Sequence, residues 1–189
     1  MGTGCRPSAG GTSVSNIWNT PTLAPDSVGI RLATADFSKS PTDLVFIRLT
    51  VKDASGKVLG DTLYWHNRKD YMRYEALNTL PEVSVSASVS AKSVIGGEIG
   101  KDNDRYTLTL TNKSSEPAVQ TRIRTLTNGC AKTIREDVLP AFYSDNYFPL
   151  MPGESKTVTV EFNPKYLKGC KPVFELSGWN TAVETINRQ

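Results

Sequence analysis

The sequence predicts an all-β protein, an immunoglobulin-like antiparallel β-sandwich preceded by a partial second β-sandwich module. Three observations carry this. Several stretches alternate apolar and polar residues with a period of two, the spacing of a strand with one buried face; Val83-Ser-Val-Ser-Ala-Ser-Val-Ser90 is the clearest. Turn-forming residues punctuate those stretches at short intervals. Helical spacing is confined to one short segment, Asp70 to Leu80, where Tyr71, Tyr74 and Leu77 recur three residues apart before Pro81 stops the pattern.

Taken in order, Val28 to Phe37 reads as a strand ended by Ser38-Lys-Ser-Pro41. Leu44 to Lys52 and Val58 to Trp65 flank Asp53-Ala-Ser-Gly56 and read as a hairpin. After Pro81 come the Val83 to Val89 alternation, then Tyr106, Leu108 and Leu110 against Thr107, Thr109 and Thr111. Val119 to Thr127 follows. Val158, Val160 and Phe162 alternate with Thr157, Thr159 and Glu161, and Val173 to Trp179 ends the set. Gly96-Gly97, Lys101-Asp-Asn-Asp104, Asn112-Lys-Ser-Ser115, Asn128-Gly129, Pro152-Gly153 and Asn163-Pro164 supply the turns. The predicted organisation is an N-terminal segment over 1–27, the final strands of a sandwich over 28–66, a linker with a helical turn over 67–81, a C-terminal sandwich over 82–181, and a tail over 182–189. Residues 82–181 have the size of one immunoglobulin-like domain, about 100 residues. The first module has too little sheet to close a sandwich alone.

Composition excludes several classes of function. Charged residues at 22% and hydrophobic residues at 38% fit a soluble globular chain and not a disordered one. The net charge of +3 is spread thinly, so no basic footprint for nucleic acid is present. No apolar run approaches the roughly 20 residues that span a bilayer, and no membrane partner is expected. Met1 to Ser15 is rich in Gly, Ser and Thr, lacks the apolar centre of a signal peptide, and reads as a tag or a cut end.

Catalytic and metal chemistry find little support. The single histidine, His66, sits beside Asn67, Arg68 and Lys69 and reads as a solvated turn residue, which removes multi-histidine metal sites. Asp102-Asn-Asp104 offers oxygens to calcium but lacks the spacing of a calcium loop, so it reads as a turn. Gly96-Gly97 leads into no helix and cradles no phosphate. Asn112-Lys-Ser114 has the form of a glycosylation acceptor; Asn78-Thr-Leu80 does not. Cysteines number three, and their spacing fits no zinc pattern. Cys130 and Cys170 each follow a glycine at a strand end; a bridge between them and two free thiols are both open readings.

The most informative stretch is Val138-Leu-Pro-Ala-Phe-Tyr-Ser-Asp-Asn-Tyr-Phe-Pro-Leu-Met-Pro-Gly-Glu-Ser155. Four aromatic residues surround Ser144-Asp145-Asn146 and lead into a Pro-Gly turn. Aromatic rings beside Asp and Asn suit either of two jobs: bracing the sandwich core, or holding a sugar by ring stacking and hydroxyl bonds.

The run Phe142 to Glu154, the alternating strand after it and the ending Ser177-Gly-Trp-Asn180 resemble the C-terminal immunoglobulin-like domain of glycoside hydrolase family 2. The resemblance is to the exo-β-D-glucosaminidases, β-mannosidases and mannosylglycoprotein endo-β-mannosidases. Leu63-Tyr-Trp65 and Tyr74-Glu-Ala-Leu-Asn-Thr-Leu-Pro81 are similar to the junction between the last two sandwiches of those enzymes. The resemblance implies a non-catalytic fragment, because the family's paired catalytic glutamates lie on a (β/α)8 barrel and this chain has no barrel pattern. It therefore assigns no catalytic, metal or cofactor residue here. It implies as partners the barrel and the other sandwiches of the parent, with an oligosaccharide as a further ligand, and an exported, periplasmic or secreted parent. Within the aromatic stretch, Phe142 and Phe148 are expected to pack inward. Tyr143, Asp145, Asn146 and Tyr147 are the candidates to face a domain outside this chain or its substrate cleft. A free-standing carbohydrate- or protein-binding sandwich is the alternative.

Overall fold

The computed structural model describes residues 16–19, 21–22, 24–29, 31–40, 42–69, 73–90, 92–95, 102–130 and 135–186. Met1 to Ser15, Tyr71, Gly96-Gly97, Lys101 and residues 187–189 therefore lie outside the described residues. The backbone divides into two compact units, Met1–Leu80 and Pro81–Gln189.

In the first unit, β1 (Leu44–Lys52) pairs antiparallel with β2 (Val58–Asn67). Asp53 shapes the turn: its Oδ1 accepts from the backbone N–H groups of Ser55 (2.9 Å) and Lys57 (3.0 Å). Across the hairpin Arg48 and Asp61 form a two-bonded ion pair. The expected strand over Val28 to Phe37 does not form among the described residues, and Val28 is 90% exposed. Asp26 and Gly29 turn the chain at positive φ (62° and 70°), which breaks the extended run just where a ladder would start. His66 is not in a turn. It stands in β2 opposite Val45, half-buried, its ring 5.9 Å from that of Phe37. The helical spacing resolves into a single 3-10 turn, Glu75–Thr79, which buries Leu77.

The second unit is an immunoglobulin-like sandwich. One sheet runs β3 (Val85–Val89), β5 (Asn103–Asn112), β9 (Ser155–Phe162), β7 (Ala141–Tyr143), with β4 (Ser93–Ile95) continuing the β3 edge along β5. The other runs β11 (Glu184–Ile186), β10 (Lys171–Ser177), β6 (Ala118–Asn128), β8 (Phe148–Leu150). Alternation drives the packing: Val85, Leu108, Leu110, Val158, Val160 and Phe162 from one sheet are fully buried against Ile123, Leu150 and Leu176 of the other. At the centre, Tyr106 stacks on Phe162 (centroids 5.7 Å apart) and meets Phe174 edge-on at 5.2 Å.

Two asparagines stitch the sheets. Asn112, wholly buried, donates through Nδ2 to the carbonyls of Glu116 (2.7 Å) and Leu150 (2.9 Å). Its amide is thus enclosed, so the Asn112-Lys-Ser114 acceptor is closed to modification in the folded unit. Asn180 accepts the N–H of Val119 (2.9 Å) and donates to the carbonyls of Pro81 (3.0 Å) and Pro117 (2.9 Å). Its own carbonyl takes the N–H of Val83 at 2.8 Å. The last main strand ends at Ser177 and not at Trp179, because Gly178 passes hard against β6: a Cβ there would lie 3.1 Å from the carbonyl oxygen of Val119 and 3.0 Å from Oγ1 of Thr181. At Pro152-Gly153 the turn places Gly153 at φ +72°, with its N–H on the Asn112 carbonyl. A disulfide joins Cys130, just past β6, to Cys170, just before β10.

Asn180→Ala takes the side-chain partner from three backbone groups, two of them buried, and is expected to lower unfolding free energy by about 3 kcal/mol, read as a fall in the urea midpoint. Cys170→Ser opens a loop of sequence separation 40; a loss of about 2–4 kcal/mol is expected in the same assay, matched by reducing the unaltered chain.

Candidate functional site

The aromatic stretch lies on one lateral edge of the sandwich. β7 belongs to one sheet and β8 to the other, so residues 144–147 are where the chain switches sheets. Both strands are short, and β8 carries Pro149, which blunts an edge that would otherwise recruit a foreign strand.

The sandwich sorts the aromatics differently from the sequence expectation. Phe148 is buried at 3% exposure, but Phe142 is 57% exposed and faces outward. The phase of β7 decides this. Ala141 and Tyr143 point to the core, and Phe142 between them points away, opposite Glu161 of β9. Tyr143 packs against the core, and its hydroxyl pairs with the Thr125 hydroxyl at 2.9 Å. Burial pushes its phenol above the ordinary tyrosine range, against the lowering effect of the Thr125 bond, so Tyr143 stays neutral.

Asn146 is a clamp. Its Oδ1 accepts the N–H of Ile123 (2.8 Å) and its Nδ2 donates to the Ile123 carbonyl (2.9 Å), so one side chain replaces a strand partner for β6. The same Oδ1 takes the N–H of Tyr147 at 3.1 Å and helps hold that residue at φ +59°. Asp145 turns to Lys156, 2.5 Å away, and the Lys156 ammonium also sits 4.7 Å from the centre of the Phe148 ring. Ser144 ties the loop to β9 in both directions, through Ser144 N–H to the Thr159 carbonyl and Thr159 N–H to the Ser144 hydroxyl, each 2.9 Å.

Of the four candidate residues, Tyr143 and Asn146 are thus used by the sandwich itself, Asp145 is half-buried in an ion pair, and Tyr147 is displayed. The Tyr147 ring is 55% exposed and lies 5.5 Å from the guanidinium carbon of Arg122 on β6. Arg122 was not among the sequence candidates; its only signal was a second arginine two residues from Arg124, which puts both on the outer face of β6. Arg124 is fully engaged, bonded twice to Asp137 (3.1 and 2.8 Å) and once to Glu175 (3.0 Å). Arg124 holds the Asp137 carboxyl below the ordinary range. A depressed carboxyl stabilises the fold above its unfolded value and gives that up as pH falls through the folded one, and surface exposure keeps this contribution small. Trp179 is a second displayed ring, 55% exposed, on the loop that Asn180 anchors. Among the described residues, no group of three or more His, Cys, Asp or Glu side chains is placed to hold a metal ion. Nor, among the described residues, is any helix long and apolar enough to cross a membrane.

Residues 62–181 match the family model described as the exo-β-D-glucosaminidase Ig-fold domain. The chain is 30% identical over 156 residues to an exo-β-D-glucosaminidase of Streptomyces avermitilis, covering 74% of this chain and 16% of that protein. It is 32% identical over 162 residues to that of Hypocrea jecorina, covering 77% of this chain and 17% of the relative. The crystal structure of the Amycolatopsis orientalis exo-chitosanase CsxA superposes with a TM-score of 0.64 at 25% identity, over 78% of this chain and 19% of that one. A shorter match, 43% identical over 47 residues, is to a mannosylglycoprotein endo-β-mannosidase of Lilium longiflorum.

Asn146→Ala is expected to cost about 2 kcal/mol through the stranded Ile123 and Tyr147 backbone groups. Faster amide exchange at Ile123 in the variant, with exchange at Leu108 unchanged under native conditions, is the readout.

Proposed function

Because the chain belongs to the exo-β-D-glucosaminidase Ig-fold domain family, we propose that it is the non-catalytic C-terminal sandwich region of a family 2 β-glycosidase. In this reading it packs through the 138–150 stretch on a catalytic (β/α)8 barrel outside this chain and walls one side of the substrate cleft. The chain spans only 16% and 17% of the length of two curated relatives, so most of such an enzyme lies elsewhere.

One observation carries the reading. The 144–147 turn is anchored to β6 and β9, yet it keeps Tyr147 more than half exposed at left-handed φ. A loop held this firmly with an aromatic ring left outside suits a fixed contact surface, since the ordering cost is met before any partner arrives. The bond cleaved by the parent is taken as β-glucosaminidic, because the long matches are to exo-β-D-glucosaminidases, whereas the mannosidase match covers 25% of the chain. The Cys130–Cys170 disulfide favours an oxidising compartment for the parent.

In the full-length enzyme, Tyr147→Ala is expected to lower kcat/KM on a glucosamine oligosaccharide on the order of tenfold, the factor given by ~1.4 kcal/mol of lost ring contact. Unchanged kcat/KM would sink the cleft role. Millimolar or tighter binding of the same oligosaccharide by the isolated chain would instead favour an independent binding module.

A further inference from the structure

Four arginines stand in the described strands, and three of them are neutralised across the sheet: Arg48 by Asp61, Arg105 by Glu161, and Arg124 by Asp137 and Glu175. Arg122 is the exception. The residue opposite it on β10 is Ser177, whereas the residue opposite Arg124 is Glu175. Its guanidinium makes no hydrogen bond or ion pair among the described residues and instead lies beside the Tyr147 ring. Asp137 is close enough to be lowered by Arg122's charge, but both its oxygens are occupied by Arg124. Asp145, the acid of the aromatic turn, is turned to Lys156.

The pair is also positioned with care. Asn146 bonds both backbone groups of Ile123, the neighbour of Arg122, and the backbone N–H of Tyr147. One side chain therefore ties the backbone of Tyr147 to that of the residue next to Arg122. A planar guanidinium braced on an aromatic face, with its donors unspent, is preorganised to take a carboxylate through two parallel bonds.

From this we infer that Arg122 and Tyr147 form a docking point for an Asp or Glu carboxylate on another domain of the same enzyme. The inference rests on the proposal that this chain is one region of a larger glycosidase. Charge complementarity selects the occupant. A glucosamine unit, the sugar named for a complex of CsxA, carries an amino group that is cationic near neutral pH, and Arg122 repels it. A protein carboxylate satisfies the unspent donors.

The test uses the full-length enzyme with Arg122→Lys, which keeps the charge and supplies an amine. A carbodiimide then joins amines to carboxylates in contact, and mass spectrometry identifies the joined peptides. The expected product links position 122 to an Asp or Glu outside residues 1–189. The Lys156–Asp145 pair, 2.5 Å apart, provides the link that must appear in the same digest. If that link forms while position 122 joins nothing, or only Asp137, the inference is overturned. Binding of oligogalacturonate by the 189-residue chain, abolished by Arg122→Ala, would also overturn it by assigning the site to an anionic sugar. The outcome separates from that of the Tyr147→Ala kinetics: a cross-link with unchanged kcat/KM keeps the docking point and removes the cleft role, and the reverse pattern does the opposite.

Discussion

The C-terminal sandwich depends on Asn180. A single buried amide meets the entry of the unit at Pro81, the start of β6 at Pro117 and Val119, and the exit of β10, while its own carbonyl holds Val83. These groups lie up to 99 residues apart in sequence. Without the amide, the carbonyls of Pro81 and Pro117 and the N–H of Val119 lose this partner, and the backbone bond from the Val83 N–H to the Asn180 carbonyl is left to tie the segment before β3 to the end of β10. Gly178 serves the same junction from the other side, because only a residue without a side chain lets β10 run this close to Val119. The two residues tie the entry of the unit to the end of β10 and the start of β6.

Much of the sandwich could be read from alternation, and the reason is burial on one face only. In β5 and β9 the apolar members Tyr106, Leu108, Leu110, Val158, Val160 and Phe162 are all buried, while the threonines between them are not. The same logic fails for short strands. β7 has three residues and two adjacent aromatics, so either phase looks acceptable from the sequence. The choice falls to Tyr143 because its hydroxyl can reach Thr125, a partner Phe142 could not use. The asparagines mislead for a related reason. Asn112, Asn146 and Asn180 each stand in turn-like sequence, and local composition cannot tell an amide that caps its own turn from one that bridges two sheets.

The candidate site shows the same division. The sequence singled out this segment because an aromatic run beside Asp and Asn is unusual in a loop. It could not say that Asn146 faces inward, because that depends on the backbone of Ile123, which lies past the Ala118 and Thr121 pairs that β6 makes with β8. Nor did it mark Arg122, whose distinction lies in what stands opposite it, a serine in place of an acid. Register is a property of the paired sheet and not of either strand alone.

The Cys130–Cys170 bond spans both ends of the aromatic stretch. Everything between them, including β7, the sheet-switching turn, β8 and β9, hangs from β6 and β10 as a covalent ring. A protease that nicks the exposed Leu139 or Tyr147 therefore opens a ring and releases no fragment. The cut chain keeps its two halves at high effective concentration, where the β5–β9 and β6–β10 ladders can hold them in register. The displayed surface can be cut once without being shed.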